Sequence, residues 1–330
     1  MKSKLKKRKI ITVAIYVVMY IGLVYSQDCS EGYTYFSELP ATAVITQGDS
    51  CLSNIDLGVL NDIISANSLD YPDPINVGNQ TWKDSRLIGL VASYTPNGSN
   101  GINTQLNSLP ESIGNLSELA FLYLEWNLLT NLPDSFSQLT SLVSLTINNN
   151  WLTSLPSDFG NLNQLFFLDL GYNQLASIPE SICQLEGLQY LYLFNNQLDS
   201  LPDCICDLNI DWSGFDGGSY PYFGIGANLL CCYIPECVEN SVNLELSLDQ
   251  FYYSTHLVAP QEDCLALGDL NGDGGWNVLD IVALANCVLA DNCDPADDGG
   301  CSADMNGDGG YNVLDIVALA NCVLADTCGG

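Results

Sequence analysis

Leu119-Ala-Phe-Leu122-Tyr-Leu124-Glu-Trp-Asn127-Leu-Leu129 returns two periods later as Leu165-Phe-Phe-Leu168-Asp-Leu170-Gly-Tyr-Asn173-Gln-Leu175, and this stretch decides the architecture of the middle of the chain. Both copies follow Leu-x-x-Leu-x-Leu-x-x-Asn-x-Leu. Around them Pro110, Pro133, Pro156, Pro179 and Pro202 stand 23 residues apart. The same interval connects Leu109, Leu132, Leu155, Ile178 and Leu201, and again Leu116, Leu139, Leu162, Leu185 and Leu208. A fixed period of this length means stacked units, each of which buries its apolar side only against its neighbours. Alternate leucines on a short strand point inward, and the Asn turns in to satisfy backbone groups at the bend. Asn127, Asn150, Asn173 and Asn196 therefore read as a structural ladder, with buried amides placed for satisfaction rather than chemistry.

The pattern resembles a leucine-rich repeat, which implies an α/β solenoid with short parallel strands on its concave face. Residues 87–240 are assigned to the repeats and a C-terminal cap. At the two ends the repeats degenerate. Leu87, Leu90 and Ala92 align with Leu119, Leu122 and Leu124 after a nine-residue insertion near Thr95–Asn103. Phe223, Ile225, Asn228 and Leu230 continue the series after a second insertion near Asp211–Ser219. Residues 27–86 read as an N-terminal cap containing a helix over Asp56–Ile64, with Trp82 packed before the first strand. Residues 241–263 read as a linker or short strands, because Ser241–Tyr253 alternates with Val242, Leu244, Leu246 and Leu248 on one side. Strand residues between the inward leucines are expected on the concave surface. That places Phe121, Tyr123, Glu125, Trp126, Asn148, Phe167, Asp169, Tyr172, Tyr190, Tyr192 and Phe194 in one solvent-facing row. Exposed contiguous aromatics mark a binding surface.

The last part of the chain holds two copies of one loop, Asp269-Leu-Asn271-Gly-Asp273-Gly-Gly275-Trp-Asn277-Val-Leu-Asp280 and Asp304-Met-Asn306-Gly-Asp308-Gly-Gly310-Tyr-Asn312-Val-Leu-Asp315. Oxygen side chains fall at positions 1, 3, 5, 9 and 12 with Gly at 6 and a backbone carbonyl at 7, the way a 12-residue loop wraps a hard cation. Two Ca2+ sites follow. Too little chain precedes either loop for an entering helix, whereas Val278–Ala290 and Val313–Ala325 are helix patterns. One loop and one helix, twice, resembles the type I dockerin module, so residues 264–330 are expected to form a small all-α calcium-binding domain that docks to a cohesin-like receptor. Where many such modules carry a Ser-Thr pair and a Lys-Arg pair, this chain has Val278-Leu279 and Ala285-Asn286.

Six basic residues among the first nine, followed by the apolar run Ile10–Tyr25, read as a signal peptide over residues 1–26. Its apolar core is short of a spanning helix, so no membrane insertion is expected after cleavage. Cleavage leaves the 39 acidic residues facing only Lys83 and Arg86, a formal charge of −37. Such a chain repels phosphate backbones, which excludes nucleic acid. The 14 cysteines indicate disulfides in an extracellular or cell-surface protein, Cys29 with Cys51 being the preferred local pair. His256, the sole histidine, has no catalytic company.

Three functions compete. The first is a secreted non-catalytic binding protein, whose repeats hold a protein or glycan while the calcium module docks to a scaffold or receptor. The second is an accessory or catalytic subunit of extracellular polysaccharide degradation. It meets the objection that Glu125 and Asp169, two repeats apart, would lie about 10 Å apart in the open. The third is a structural surface or adhesion protein, with the calcium module as a stabilising terminus. If Val278, Ile281, Val282, Leu284, Val288 and Leu289 and their counterparts all bury against each other, the third reading gains.

Overall fold

A repeating register of leucines generates the central sheet. In the computed structural model Leu90 faces Leu122, Leu122 faces Leu145, Leu145 faces Leu168, Leu168 faces Leu191, and Leu191 faces Phe223. Each of these six is essentially inaccessible to solvent. The structure describes residues 29–330 except 97, 99–100, 218–219, 231–233, 252, 254, 262–267, 291–292, 294–300, 307–309, 326 and 329–330. The expected signal segment, Cys231, Cys232 and Cys264 thus lie outside the described residues.

The strands form an eight-stranded sheet in the order Phe223–Gly224, Tyr190–Tyr192, Phe167–Asp169, Ser144–Thr146, Phe121–Tyr123, Arg86–Val91, Asn79–Lys83, Ala43–Gln47. All neighbours are parallel except Asn79–Lys83 with Arg86–Val91. On the opposite side each repeat returns through a short 3-10 helix, as at Glu111–Asn115, Asp134–Gln138 and Glu180–Gln184, rather than an α-helix. Each of these three starts after its repeat's proline, whose fixed φ suits the entry and whose missing N–H costs nothing there.

The asparagine ladder is built as expected. Asn173 Nδ2 donates to the carbonyls of Ile147, Leu170 and Gly171, while its Oδ1 accepts from Leu152 N at 3.0 Å. Asn127, Asn150, Asn196 and Asn228 repeat this set, so each amide crosslinks its own turn to the preceding one. The residue before each ladder Asn has left-handed backbone: Trp126, Asn149, Tyr172, Asn195 and Ala227, with φ between 53° and 62°. Asn tolerates this conformation, but Trp and Tyr do so at a cost.

The N-terminal cap contains the expected helix, longer than read, over Asn54–Asn67, capped by Ser53 and stopped by left-handed Ser68. Trp82 is wholly buried. Asp56, also buried, forks onto Arg86 through two 2.9 Å bonds and accepts from Leu87 N, fixing the cap to the first strand of the repeats. Cys29 pairs with Cys51. Cys183 pairs with Cys204 and Cys206 with Cys237, closing the far end of the solenoid. The Asp211–Ser219 insertion carries the hairpin Phe215–Asp216 with Tyr220–Pro221.

Within residues 241–263 the strand is shorter than the alternation suggests. Two short strands lie there, Leu246–Leu248 paired antiparallel with His256–Val258, and of the alternating stretch Ser241–Tyr253 only Leu246–Leu248 is a strand. Val242 is exposed, and Ser247 is as buried as Leu248. The alternation fails because Ser247 and Leu248 both pack onto the repeats, Ser247 by hydrogen bonding to Asn195 and Leu248 against Tyr192 and Phe194. It lies across the end of the repeat sheet as a strap. Gly226 N donates to Leu246 O, Ala227 N to Ala259 O, and Gln261 Nε2 to Ile225 O. Gly226 is required at this crossing, since a Cβ there would come within 2.6 Å of Ala259 O.

Candidate binding faces and metal loops

The strap corrects the expectation of a solvent-facing aromatic row. Tyr192 and Phe194 are fully buried in a cluster with Leu248, against which Phe167, Tyr172, Tyr190 and Tyr253 pack. Asn148 and Asp169 are buried as well. Tyr172 Oη donates to Leu248 O at 2.6 Å and Ser247 Oγ to Asn195 Oδ1 at 2.5 Å. Tyr192 Oη donates to Pro221 O at 2.8 Å and Tyr190 Oη to Asp216 Oδ2 at 3.1 Å, so the inserted hairpin covers the neighbouring edge. Strand alternation gives the side of the sheet on which a residue lies. It is silent on whether a later segment returns to cover that side. On the uncovered half Phe121 remains 44% exposed, with Tyr123, Glu125 and Trp126 half-buried.

The two carboxylates expected in the open are withdrawn from it. Asp169 accepts from Tyr253 Oη, from Asn148 Nδ2 at 2.7 Å and from Gly171 N at 3.0 Å. Burial raises its pKa to about 6, and those three hydrogen bonds oppose the rise. Glu125 is raised to about 7, chiefly by desolvation with a lesser push from Asp169, and it accepts from Ser93 Oγ. Raised carboxylates are what acid–base catalysis requires. Asp169, however, is fully buried and bonded to Tyr253 of the strap.

Along the edge where the ladder asparagines turn runs a shallow groove of about 410 Å³. It is lined by Gln105, Trp126, Leu128, Asn149, Trp151, Tyr172, Gln174, Asn195 and Gln250, together with ladder residues. Trp151 is 52% exposed. Phe251, on the strap, stacks on Trp126 with ring centroids 5.6 Å apart. Sequence reading placed Trp126 and Tyr172 in the concave row and did not single out Trp151 or Gln174, which sit beyond the strand in each repeat. Their signal was the residue directly after each ladder Asn.

In the first calcium-type loop the oxygen side chains are tied to the loop's own backbone N–H groups. Asp269 is 4% exposed and accepts from Asp273 N and Gly274 N; Asn271 Oδ1 accepts from Asp273 N at 2.9 Å; Asp273 Oδ1 accepts from Gly275 N. Gly274 takes the left-handed turn with φ 78°. Asp280, fully buried at the start of helix Val278–Ala290, accepts from Leu270 N, Asn271 N and Asn277 N, which draws the helix onto the loop. The second loop repeats this: Asp315 is buried and accepts from Asn306 N and from Asn312 N at 2.8 Å. Asn277 and Asn312 each donate to the glycine carbonyl two residues earlier, Gly275 and Gly310. Asp304 is buried, and Asp308 lies outside the described residues. The donor set fits a hard divalent cation. Asp269, Asp280, Asp304 and Asp315 are buried carboxylates in a chain with no lysine or arginine after Arg86, so no basic side chain of the module competes with a cation for them.

The two helices, Val278–Ala290 and Val313–Ala325, meet through Leu284 and Leu319, with Ile281, Val288, Ile316 and Val323 half-buried around them. They do not bury the rest of their apolar surface. Val278, Leu279, Val282 and Leu289 are 64, 60, 51 and 83% exposed, and Val313, Leu314, Val317 and Leu324 are 62, 60, 51 and 85% exposed. Cys287–Cys293 and Cys322–Cys328 close equivalent loops behind each helix. No described helix is long and apolar enough to cross a membrane.

Comparison with known families agrees with both parts of the chain. Residues 142–198 match the leucine rich repeat model and residues 267–324 match the dockerin type I domain model. The chain therefore carries a leucine-rich-repeat region and a type I dockerin domain, a kind of module that binds calcium and docks to cohesins in extracellular or cell-surface proteins. Both kinds of domain are typically non-catalytic. No curated protein matches the sequence. Among solved structures, a leucine-rich-repeat protein of Leptospira interrogans is similar at 27% identity and TM-score 0.33, over 44% of this chain and 40% of that one. A plant ice-binding protein is similar at 22% identity and TM-score 0.44, over 58% and 61%. The repeat ectodomain of the receptor kinase SOBIR1 from Arabidopsis thaliana follows at 23% and 0.39, over 48% and 91%. The chain thus spans less than two thirds of the first two.

Proposed function

We propose that this is a secreted, non-catalytic binding protein, whose leucine-rich repeats hold a partner while its all-α dockerin module, loaded with two calcium ions, docks it to a cohesin-like receptor or scaffold. Asp269, Asn271, Asp273, Asn277 and Asp280 with the Gly275 carbonyl hold one ion. Asp304, Asn306, Asp308, Asn312 and Asp315 with the Gly310 carbonyl hold the other. Bound calcium neutralises the buried carboxylates, and Asp280 and Asp315, bonded to their own loop backbones, then fix each helix in place. On the repeats the uncovered part of the concave face, with Phe121 exposed and Tyr123 half-buried, remains available to the partner.

One observation carries the docking reading: eight exposed apolar side chains arranged alike on the two helices, at 51–85% exposure. A module serving only as a stabilising terminus gains nothing from leaving that surface in water. The replacement of a Ser-Thr pair by Val278-Leu279, and again by Val313-Leu314, makes the docking surface apolar and calls for a complementary apolar receptor face. The test is retention of the full secreted chain on immobilised cohesin modules, with calcium and with chelator. Calcium-dependent retention is expected. The double substitution Val282→Asp with Val317→Asp should abolish it while calcium uptake stays intact. A calcium-loaded chain that is not retained, or one retained equally by the double variant, overturns the docking face.

A further inference from the structure

We infer that the groove along the asparagine edge of the repeats is a binding site for a neutral, linear oligosaccharide. This rests on the reading that the repeat region holds a partner, and specifies that partner's chemistry. The groove draws one to three residues from each of five successive turns, Gln105 on the first and Asn195 on the last. At the spacing of neighbouring strands it runs for roughly 19 Å. A chain ligand fits such a trough better than a compact one.

Its lining has two components. Trp126, Trp151 and Tyr172 offer aromatic faces, and Trp151 is more than half exposed, whereas Phe136, Phe159 and Phe223 of the repeat core are wholly buried. Between the rings stand primary amides, Gln105, Asn149, Gln174 and Gln250 among them, which both donate and accept hydrogen bonds. Rings that stack on the apolar face of a pyranose, alternating with groups that match hydroxyls in either sense, suit a sugar. No ionisable acid or base other than tyrosine lines the groove. With no lysine or arginine after Arg86, and Arg86 itself engaged by Asp56, a sulfated or uronic chain meets no cation and a strong negative field.

The backbone adds an independent observation. Trp126, Asn149, Tyr172 and Asn195 are held at positive φ, and all four line the groove. Asn fits this conformation, whereas Trp and Tyr occupy it against their own preference, and strain of that kind concentrates where side chains are displayed for use. The strap completes one wall. Gln250 Nε2 donates to Asn149 Oδ1 at 3.0 Å, and Phe251 backs the Trp126 ring.

The experiment titrates the full secreted chain, in calcium, with cellohexaose, xylohexaose and mannohexaose, following tryptophan fluorescence and heat. A sulfated heparin hexasaccharide is the charged comparison. At least one neutral hexasaccharide should bind with a submillimolar constant. Trp151→Ala and Gln174→Ala should each weaken it tenfold or more at unchanged melting temperature, and Trp151→Phe should recover part of the loss. Binding of none of the three, preference for the sulfated chain, or indifference to both substitutions overturns the inference. Calcium-dependent retention on cohesin is measured on the same variants. If it persists while the sugars fail, the docking reading stands and only the groove assignment falls.

Discussion

Replacing Asp169 by Asn should flatten the pH response of the repeat region between pH 4 and 7.5 and change the order of stability of the two proteins across it. In the native protein the carboxyl keeps its proton to about pH 6, whereas the unfolded chain releases it near 3.8. Between those values the folded state binds more protons than the unfolded state, so stability falls as pH rises and levels off above the folded value. Each pH unit of that interval is worth about 1.4 kcal/mol, so the whole descent costs roughly 3 kcal/mol. The Asp169→Asn variant would carry no such descent. It keeps an acceptor for Gly171 N, and its amide can face Tyr253 Oη, but the donation from Asn148 is lost, at about 1 kcal/mol independent of pH. The variant should therefore be less stable than wild type at pH 4 and more stable at pH 7.5. For a region of this size the change in the difference between them is about 6–12 °C in melting temperature. Thermal unfolding at half-unit steps from pH 4 to 7.5 measures it. Parallel curves would refute the claim that a buried, ionising Asp169 governs this part of the profile.

Other outcomes follow from the same geometry. Tyr253→Phe removes a donor to the carboxylate, so it should cost about 1–2 kcal/mol above pH 6, and raise the Asp169 titration by NMR, since that bond holds the pKa down. Asn173→Ala orphans buried groups on two turns and should destabilise the repeats by roughly 2–4 kcal/mol in urea, against near neutrality for an exposed control such as Gln164→Ala. Arg86→Leu leaves Asp56 buried without its partner and should cost about 3–5 kcal/mol in the same assay. Chelation should strip helical signal from the C-terminal module while the repeats keep theirs, and Asp280→Asn should reproduce the loss at one of two calcium sites in direct titration.

Much of this was legible in the sequence because it is periodic. A 23-residue interval sets sheet register, and the register places Leu122, Leu145 and Leu168 together without further information. The ladder asparagines were legible for the same reason, as was the helix Val278–Ala290 that follows the first loop. Burial of the aromatic row was not legible. By alternation Tyr192 and Phe194 belong to the same face as exposed Phe121, and the difference lies in a later strap, Leu248 and Tyr253 above all, whose sequence reads as a half-buried strand. The left-handed column through Trp126 and Tyr172 was equally hidden, because neither residue advertises positive φ as Gly or Asn does.

The strap has a thermodynamic consequence of its own. A segment joined covalently to the face it covers acts as a competitor present at a millimolar effective concentration, whatever the protein concentration. Any ligand for the covered half of the sheet must displace Leu248 and Tyr253 first, and its apparent dissociation constant rises by the reciprocal of the fraction of molecules in which they are displaced. The C-terminal repeats are thereby closed to weak and casual ligands, and selection among partners is left to the surfaces the strap does not reach.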